Sequence, residues 1–267
     1  MNHCRRYIAQ SASVLLILCF TFVLYLAIPS YADANEQKLP DGLTLLKRVD
    51  EIRAPAQPWA FSLKVTEFSN DKQRSETDFR IYVRASASDV YRSLVLWTGP
   101  PTERGKVMLL DGNVYWLYTP GTRNSIRISP AQRLAGMASS ADIASVNYQR
   151  DYNVDAVSNE SIDGEACYKL SMLAKTDDVA YHAIELYVSQ ANNRPISAKY
   201  YALSGRLLKS ASFGDFRMAL GEQRPHLIRI FDAIDTHHST NMAYSGMALE
   251  EKPASAFRRE YLPYVKE

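Results

Sequence analysis

From Phe61 onward apolar residues recur at every second position, and that alternation decides what the chain can build. Phe61, Leu63 and Val65 alternate with Ser62, Lys64 and Thr66. After a polar turn over Ser69 to Lys72, Phe79, Ile81 and Val83 alternate with Arg80, Tyr82 and Arg84. Val90, Arg92, Leu94 and Leu96 follow, interleaved with Tyr91, Val95 and Trp97, until Pro100-Pro101-Thr102 breaks the run. Successive side chains of a strand point to opposite faces, so each run predicts a strand with one apolar and one wetter side. Short polar breaks between such runs predict antiparallel neighbours.

The stretch from Lys106 to Leu134 extends the pattern. Val107 to Leu110 and Val114 to Tyr118 are strand-forming runs on either side of Asp111-Gly112-Asn113, a turn that can use Gly112 at positive φ. Thr119-Pro120-Gly121 ends the second run, because Pro cannot donate to a ladder. Ser125 to Ser129 alternates again, with Ile126 and Ile128 opposite Arg127. Ser129-Pro130 then reads as a helix start, giving a short helix over Pro130 to Gly136. Ser139 or Ser140 can cap a second one over Ala141 to Val146, so the insert predicts a flap on a sheet. Strands are expected again near Tyr152–Val157, Cys167–Ala174, Ala183–Val188, Ile196–Ala202, Leu207–Phe216, Leu227–Ala233 and Ser239–Met247. Asp163-Gly164, Arg194-Pro195 and Ser204-Gly205 mark turns. Helical spacing of Leu43, Leu46, Val49 and Ile52 behind Asp41 predicts an amphipathic helix stopped by Ala54-Pro55, and Pro253 to Tyr261 predicts a short closing helix.

The fold class expected is therefore mainly β (α+β). Its centre is a single antiparallel sheet of about ten to eleven strands, curled into an open half-barrel and covered by a helical lid. Strand periodicity alone is equally compatible with a closed barrel or a sandwich.

Residues 1–32 stand apart. Arg5 and Arg6 precede an almost wholly apolar run, Val14 to Ile28, and Ser30-Tyr31-Ala32 fits the small-x-small pattern of a cleavage point. This predicts a secretory signal peptide, with residues 33–267 as the exported domain. The alternative is an uncleaved inner-membrane anchor, given that a spanning helix takes about 20 apolar residues. The segment holds two of the 31 basic residues and none of the 29 acidic ones, so the exported chain balances at 29 against 29. That balance gives no reason to expect nucleic acid as a partner. Cys4 and Cys19 leave with the signal, so Cys167 has no partner for an internal disulfide and reads as a small buried hydrophobe.

Motifs for chemistry are scarce. Asp232, Asp235, His237 and His238 crowd into seven residues, and the alternative of an enzyme would centre on Asp235, His237 and His238. Adjacent His residues on a strand point apart, however, and a turn between the Asp and His pairs would make the polar groups its solvated decoration. There is no G-x-S-x-G, phosphate loop, dinucleotide fingerprint or Cys/His zinc spacing. What the chain has is 17 Tyr, 9 Phe and 3 Trp, more apolar surface than short helices over a curled sheet would fill. Leftover apolar lining makes a pocket.

The segment DGNVYWLYTPGTRNSIRIS resembles the aromatic hairpin and following strand of the LolA/LolB-like lipoprotein carriers, in particular the outer-membrane lipoprotein-sorting branch. Gly105-Lys106, Trp116, Tyr118, Arg123, Leu134, Gly136, Asp142 and Asp151-Tyr152 support it in order, within a resemblance running from Trp59 to Tyr261. It implies an open half-barrel with a helical lid over a hydrophobic cavity for acyl chains. The cavity residues it implies are Phe61, Leu63, Val65, Phe79, Ile81, Val83, Leu94, Leu96 and Trp116, with Leu134, Met137, Ile143 and Val146 on the lid. In the carriers an Arg near the lid helps hold the closed form, and Arg123, Arg127 and Arg133 are the counterparts open here. The function implied is a periplasmic, non-enzymatic, monomeric carrier of acylated lipoproteins or related lipids, without cofactor or metal. It would take cargo from an inner-membrane transporter and pass it to an outer-membrane acceptor. A periplasmic sensor domain that engages a membrane partner is the rival reading.

Overall fold

The structure is a computed structural model and describes residues 38–85, 91–144, 147–235 and 237–266. The expected signal segment, residues 1–32, and Val146 of the expected lid lie outside the described residues. Leu39–Glu267 form one compact unit, which holds every element of the fold.

Helix α1 (Gly42–Arg53) forms where the sequence places it. Asp41 caps it, accepting from the Thr44 amide at 2.8 Å and the Thr44 hydroxyl at 2.7 Å. Leu45, Leu46, Val49 and Ile52 are buried, while Leu43, expected on the same stripe, is half-exposed. The helix ends at Ala54, which precedes Pro55 and is held extended by it. Its last carbonyls are met from across the chain: Arg224 donates through Nη1 to Glu51 O at 2.7 Å and Ile52 O at 2.9 Å. At its other end Gly42 lies so close to Val154 that an added Cβ would stand 2.5 Å from the valine Cγ1.

The strands come next in chain order: β1 (Trp59–Ser69), β2 (Lys72–Ala85), β3 (Tyr91–Gly99), β4 (Val107–Asp111), β5 (Val114–Tyr118) and β6 (Ile126–Ile128). Two small strands, β7 (Arg133–Ala135) and β8 (Ala138–Ser139), pair with each other and lead into α2 (Ser140–Ala144) and α3 (Tyr148–Asp151). Then come β9 (Tyr152–Ile162), β10 (Glu165–Ala174), β11 (Ala183–Ser189), β12 (Pro195–Tyr201), β13 (Leu207–Ala219), β14 (Glu222–Asp232) and β15 (His238–Leu249). Two 3₁₀ turns, Ala254–Phe257 and Arg259–Tyr264, end the described chain.

Thirteen strands form one sheet in the order β6-β5-β4-β3-β2-β1-β15-β14-β13-β12-β11-β10-β9, against the ten to eleven expected. Every neighbouring pair is antiparallel. The sheet is two meanders joined by the pairing of β1 with β15. Strands β6 and β9 remain as edges, so it is an open sheet and not a closed barrel. The helix expected over Pro130 to Gly136 is instead a turn running into β7: Ser129 Oγ does accept from the Ala131 amide at 3.2 Å, but the chain then extends to pair with β8.

Register assigns the faces. Phe61 sits opposite Ile81, Leu63 opposite Phe79, and Phe79 opposite Trp97, all in the core under α1 and the 133–144 segment. Leu94 and Leu96 pair with Tyr82 and Arg80, one step out of phase, and Trp116 pairs with Leu109. These three belong to the other face, where Phe257 and Leu262 of the closing 3₁₀ turns cover them. Arg259 completes that cover, with its guanidinium 3.9 Å above the Trp116 ring and Nε donating to Ser125 Oγ at 3.1 Å.

Candidate functional site

The inner face carries a cavity of about 50 Å³. Its floor is Ala211, Phe213, Ile228, Ile230 and Met242, inward-facing residues of β13, β14 and β15. Tyr115, Tyr148, Tyr152, Tyr181 and Tyr200 form the walls, with Arg53 from α1, Ala141 and Asp142 from α2, and Arg150 and Asp151 from α3. That volume has room for a few water molecules, while pockets for organic ligands run to about 300–1,000 Å³.

The nine expected cavity residues do not line this space. Phe61, Leu63, Val65, Phe79, Ile81 and Val83 face inward, but all are buried beneath the elements packed on that half of the sheet. Leu94, Leu96 and Trp116 are corrected outright: the pleat puts them on the outer face. Of the expected lid residues, Met137 and Ile143 are buried in the inner core and Leu134 packs against it.

Polar contacts close the cavity from two sides. On α2, Asp142 Oδ2 accepts from the Ser139 amide at 2.7 Å and its hydroxyl at 2.8 Å, and the Ser139 Oγ accepts from the Asp142 amide at 3.3 Å. This reciprocal cap fixes the start of the helix. The same carboxylate accepts from Tyr181 OH at 2.9 Å and from Lys209 Nζ, a buried lysine on β13. Lys209 also donates to Met137 O at 3.3 Å and lies against the rings of Tyr181 and Tyr200. The ion pair is dry, with side-chain exposures of 8% and 11%. Burial, followed by the Asp142 charge, pushes the Tyr181 hydroxyl well above the usual tyrosine range. Met137 is tied down separately, its amide donating to the buried Thr240 hydroxyl at 3.0 Å.

On α1, Asp50 accepts from the Tyr148 amide at 3.0 Å and the Gln149 amide at 2.7 Å, so it holds the start of α3. Burial pushes its acid up to about 6, against the Arg53 charge and those amides. Arg53 packs beneath Tyr148, 4.1 Å from the ring centroid, and Tyr148 OH meets Tyr200 OH at 2.9 Å. Arg150 grips Asp151 with two bonds of 2.7 and 2.9 Å and reaches Gly112 O at 3.1 Å, which joins α3 to the turn between β4 and β5.

The cation at the lid is thus Lys209 and not one of the three arginines expected there. Arg123 and Arg127 are exposed, and Arg133, 62% exposed at its side chain, lies 4.0 Å from Asp232. Sequence proximity could not have found a partner 67 positions from Asp142. Parity within the strand could have, since Lys209 alternates in phase with inward-facing Ala211 and Phe213. The acid and His cluster does not converge. Asp232 accepts from the Ile234 and Asp235 amides in a turn, Asp235 accepts from the His237 amide, and His238 pairs with Glu67 of β1 at 2.7 Å. Among the described residues no group of His, Cys, Asp or Glu is placed to hold a metal. Cys167 is buried, and burial pushes its thiol up.

A family model described as "-like: Uncharacterized protein" matches residues 89–264. None of the curated proteins matches the chain. Among solved structures, the LolA superfamily protein NE2245 from Nitrosomonas europaea is 32% identical, with 84% of this chain and 100% of that one covered, at a TM-score of 0.77. A domain named for outer membrane lipoprotein sorting, from Vibrio parahaemolyticus, is 18% identical over 83% of this chain and 98% of its own, at 0.72. A DUF1329 family protein from Desulfovibrio piger is 20% identical over 83% and 97%, at 0.69. The last two share the fold. The first, at its identity and coverage, joins the open sheet and its cover to a family: the chain belongs to the LolA superfamily.

Proposed function

We propose that the protein is an exported, periplasmic carrier that takes the acyl chains of lipoproteins or related lipids beneath the 133–144 segment and passes them toward the outer membrane. The observation that carries this reading is the way the cavity is shut. Its apolar floor is covered by a short helix whose side-chain polar ties gather on one carboxylate, Asp142, while Met137 and Ile143 pack into the inner core beneath it. Such a cover can be displaced as a unit. Opening it exposes Phe213, Ile228, Ile230 and Met242, and an acyl chain laid there gains about 0.8 kcal/mol per methylene buried. Carriage of this kind needs no catalytic group and no cofactor. Arg5 and Arg6 ahead of the apolar run Val14 to Ile28 support export, and an inner-membrane transporter and an outer-membrane acceptor are the partners that such a route requires.

Protein purified from the periplasmic fraction without detergent, analysed by native mass spectrometry and then by organic extraction, tests the reading. The expected result is an acylated species bound at up to one per chain. Ala141→Trp, which fills the cavity from its lid side, should reduce it. A clean unliganded mass, with no uptake of a supplied diacylated peptide, overturns the carrier.

A further inference from the structure

Arg53 and Arg150 line the cavity and Lys209 lies beside its wall, and two of these cations are hydrogen-bonded to a carboxylate: Arg150 to Asp151 and Lys209 to Asp142. Arg53 has only a longer ion pair, to Asp50. Its side chain is 7% exposed, and its Nη1, buried at the cavity wall, has no hydrogen-bond partner among the described residues. The nearest carboxylate oxygen, Asp50 Oδ1, is 3.8 Å away, beyond bonding reach, and both Asp50 oxygens already accept from the Tyr148 and Gln149 amides. Two rings lie beside it, Tyr148 at 4.1 Å and Phe213 at 5.9 Å from the guanidinium. A buried charged donor left unsatisfied is costly, and an anionic acceptor that reaches it forms a bond about twice as strong as a neutral one. The adjoining floor of Ile228, Ile230 and Met242 suits an apolar body and offers it no polar group.

We propose that Arg53 is a headgroup site, taking the anionic oxygen of an acidic amphiphile, a carboxylate or a phosphate, whose apolar chain occupies the cavity. This rests on the carrier reading and narrows it from acyl chains in general to acidic amphiphiles. A neutral chain gains only the burial of its methylenes. An acidic one also satisfies Nη1.

The test uses the exported full-length protein, stripped of bound lipid, and three probes with one twelve-carbon chain: dodecanoic acid, dodecyl phosphate and dodecan-1-ol. Binding is measured by calorimetry below their micelle concentrations. The expected result is at least a tenfold preference for an acidic probe over the alcohol. Arg53→Met should abolish the preference and keep alcohol binding, while Arg53→Lys keeps part of it. Whichever acid binds tighter identifies carboxylate or phosphate as the natural head. A readout free of variants is the Arg53 side-chain resonance in nitrogen-15 spectra of the wild type, which should move with acid and not with alcohol. Equal affinity for acid and alcohol overturns the proposal and leaves the carrier standing. An acid preference that survives Arg53→Met, or an Arg53 resonance that does not move with acid, overturns the assignment to Arg53. Failure of all three probes to bind overturns both readings together.

Discussion

Lys209→Met removes the cation that holds α2 down and keeps the length of the side chain. The pair it breaks is dry, and loss of one partner of such a pair costs about 3–5 kcal/mol, because the other charge stays buried without its countercharge. Asp142 keeps the Ser139 amide, the Ser139 hydroxyl and Tyr181 OH as donors, which places the cost at the lower end, about 3 kcal/mol. The cheapest relief is to lift α2 and let water reach the carboxylate, so the penalty falls on the closed lid more than on the sheet. At about 1.4 kcal/mol per decade, lid opening becomes on the order of 100-fold more frequent. Hydrogen exchange resolves this, since the lid has its own reporters: the amides of Met137 bound to Thr240 Oγ1, Ser139 bound to Asp142, Ser140 bound to Gln132 O and Ala141 bound to Pro130 O. They should exchange about 100-fold faster, with the β10–β11 amides unchanged. Adding Asp142→Asn removes the stranded charge and should return part of the protection. Lid amides that exchange as in the wild type, or a sheet that accelerates equally, would refute the reasoning.

Asp50 gives a pH signature. Its folded acid sits at about 6 against an ordinary 3.8, so its stabilisation is full below about pH 4 and is lost as pH rises through 6. At 1.36 kcal/mol per pH unit the loss is about 3 kcal/mol. The melting temperature of Asp50→Asn should therefore gain several degrees on the wild type between pH 4.5 and 7, and a constant gap would count against the assignment. Arg224→Met strips two carbonyls at the end of α1 and one at Ala219 of their charged donor, and should lower stability by about 3 kcal/mol, read as a lower urea midpoint at unchanged slope. Gly136 has φ +51°, and an added Cβ would stand 2.6 Å from Thr240 Oγ1, the hydroxyl that anchors Met137. Gly136→Ala should cost more than about 1 kcal/mol and loosen the lid amides first; an unchanged melting temperature would show that Thr240 can yield.

The strands were legible because a half-buried sheet writes its two faces into alternate residues. Each of the thirteen can be matched to a run such as Phe79–Val83 or Leu227–Ala233, and α1 was legible from its cap and stripe. Alternation gives two faces but does not say which face of one strand continues on the next. Val95 and Trp97 took the inner side, and Leu94 and Leu96 were expected there only because both parities of that strand are apolar. The β7–β8 pair was hidden by Ser129-Pro130, a genuine capping turn that does not propagate into a helix. The site itself left a mark that apolar reasoning passes over. Asp50 and Arg53 occupy core positions of α1, spaced four and seven from Leu46, and Lys209 occupies an inward position of β13. Charges placed where the pattern calls for Leu or Val were the clue to the cavity.

The pairing of β1 with β15 has a consequence for when this fold can form. The strand completed first and the strand completed last lie side by side at the centre of the sheet, with all the other strands between them in sequence. Until residues 238–249 are present, β1 keeps one open edge and the two meanders have nothing to join them. Closing such a distant contact is slow, because the entropy of the long loop is lost before any pairing is gained. A chain synthesised from its N-terminus therefore leaves its two meanders unjoined until residues 238–249 have emerged, and the last strand made is the one that joins the sheet.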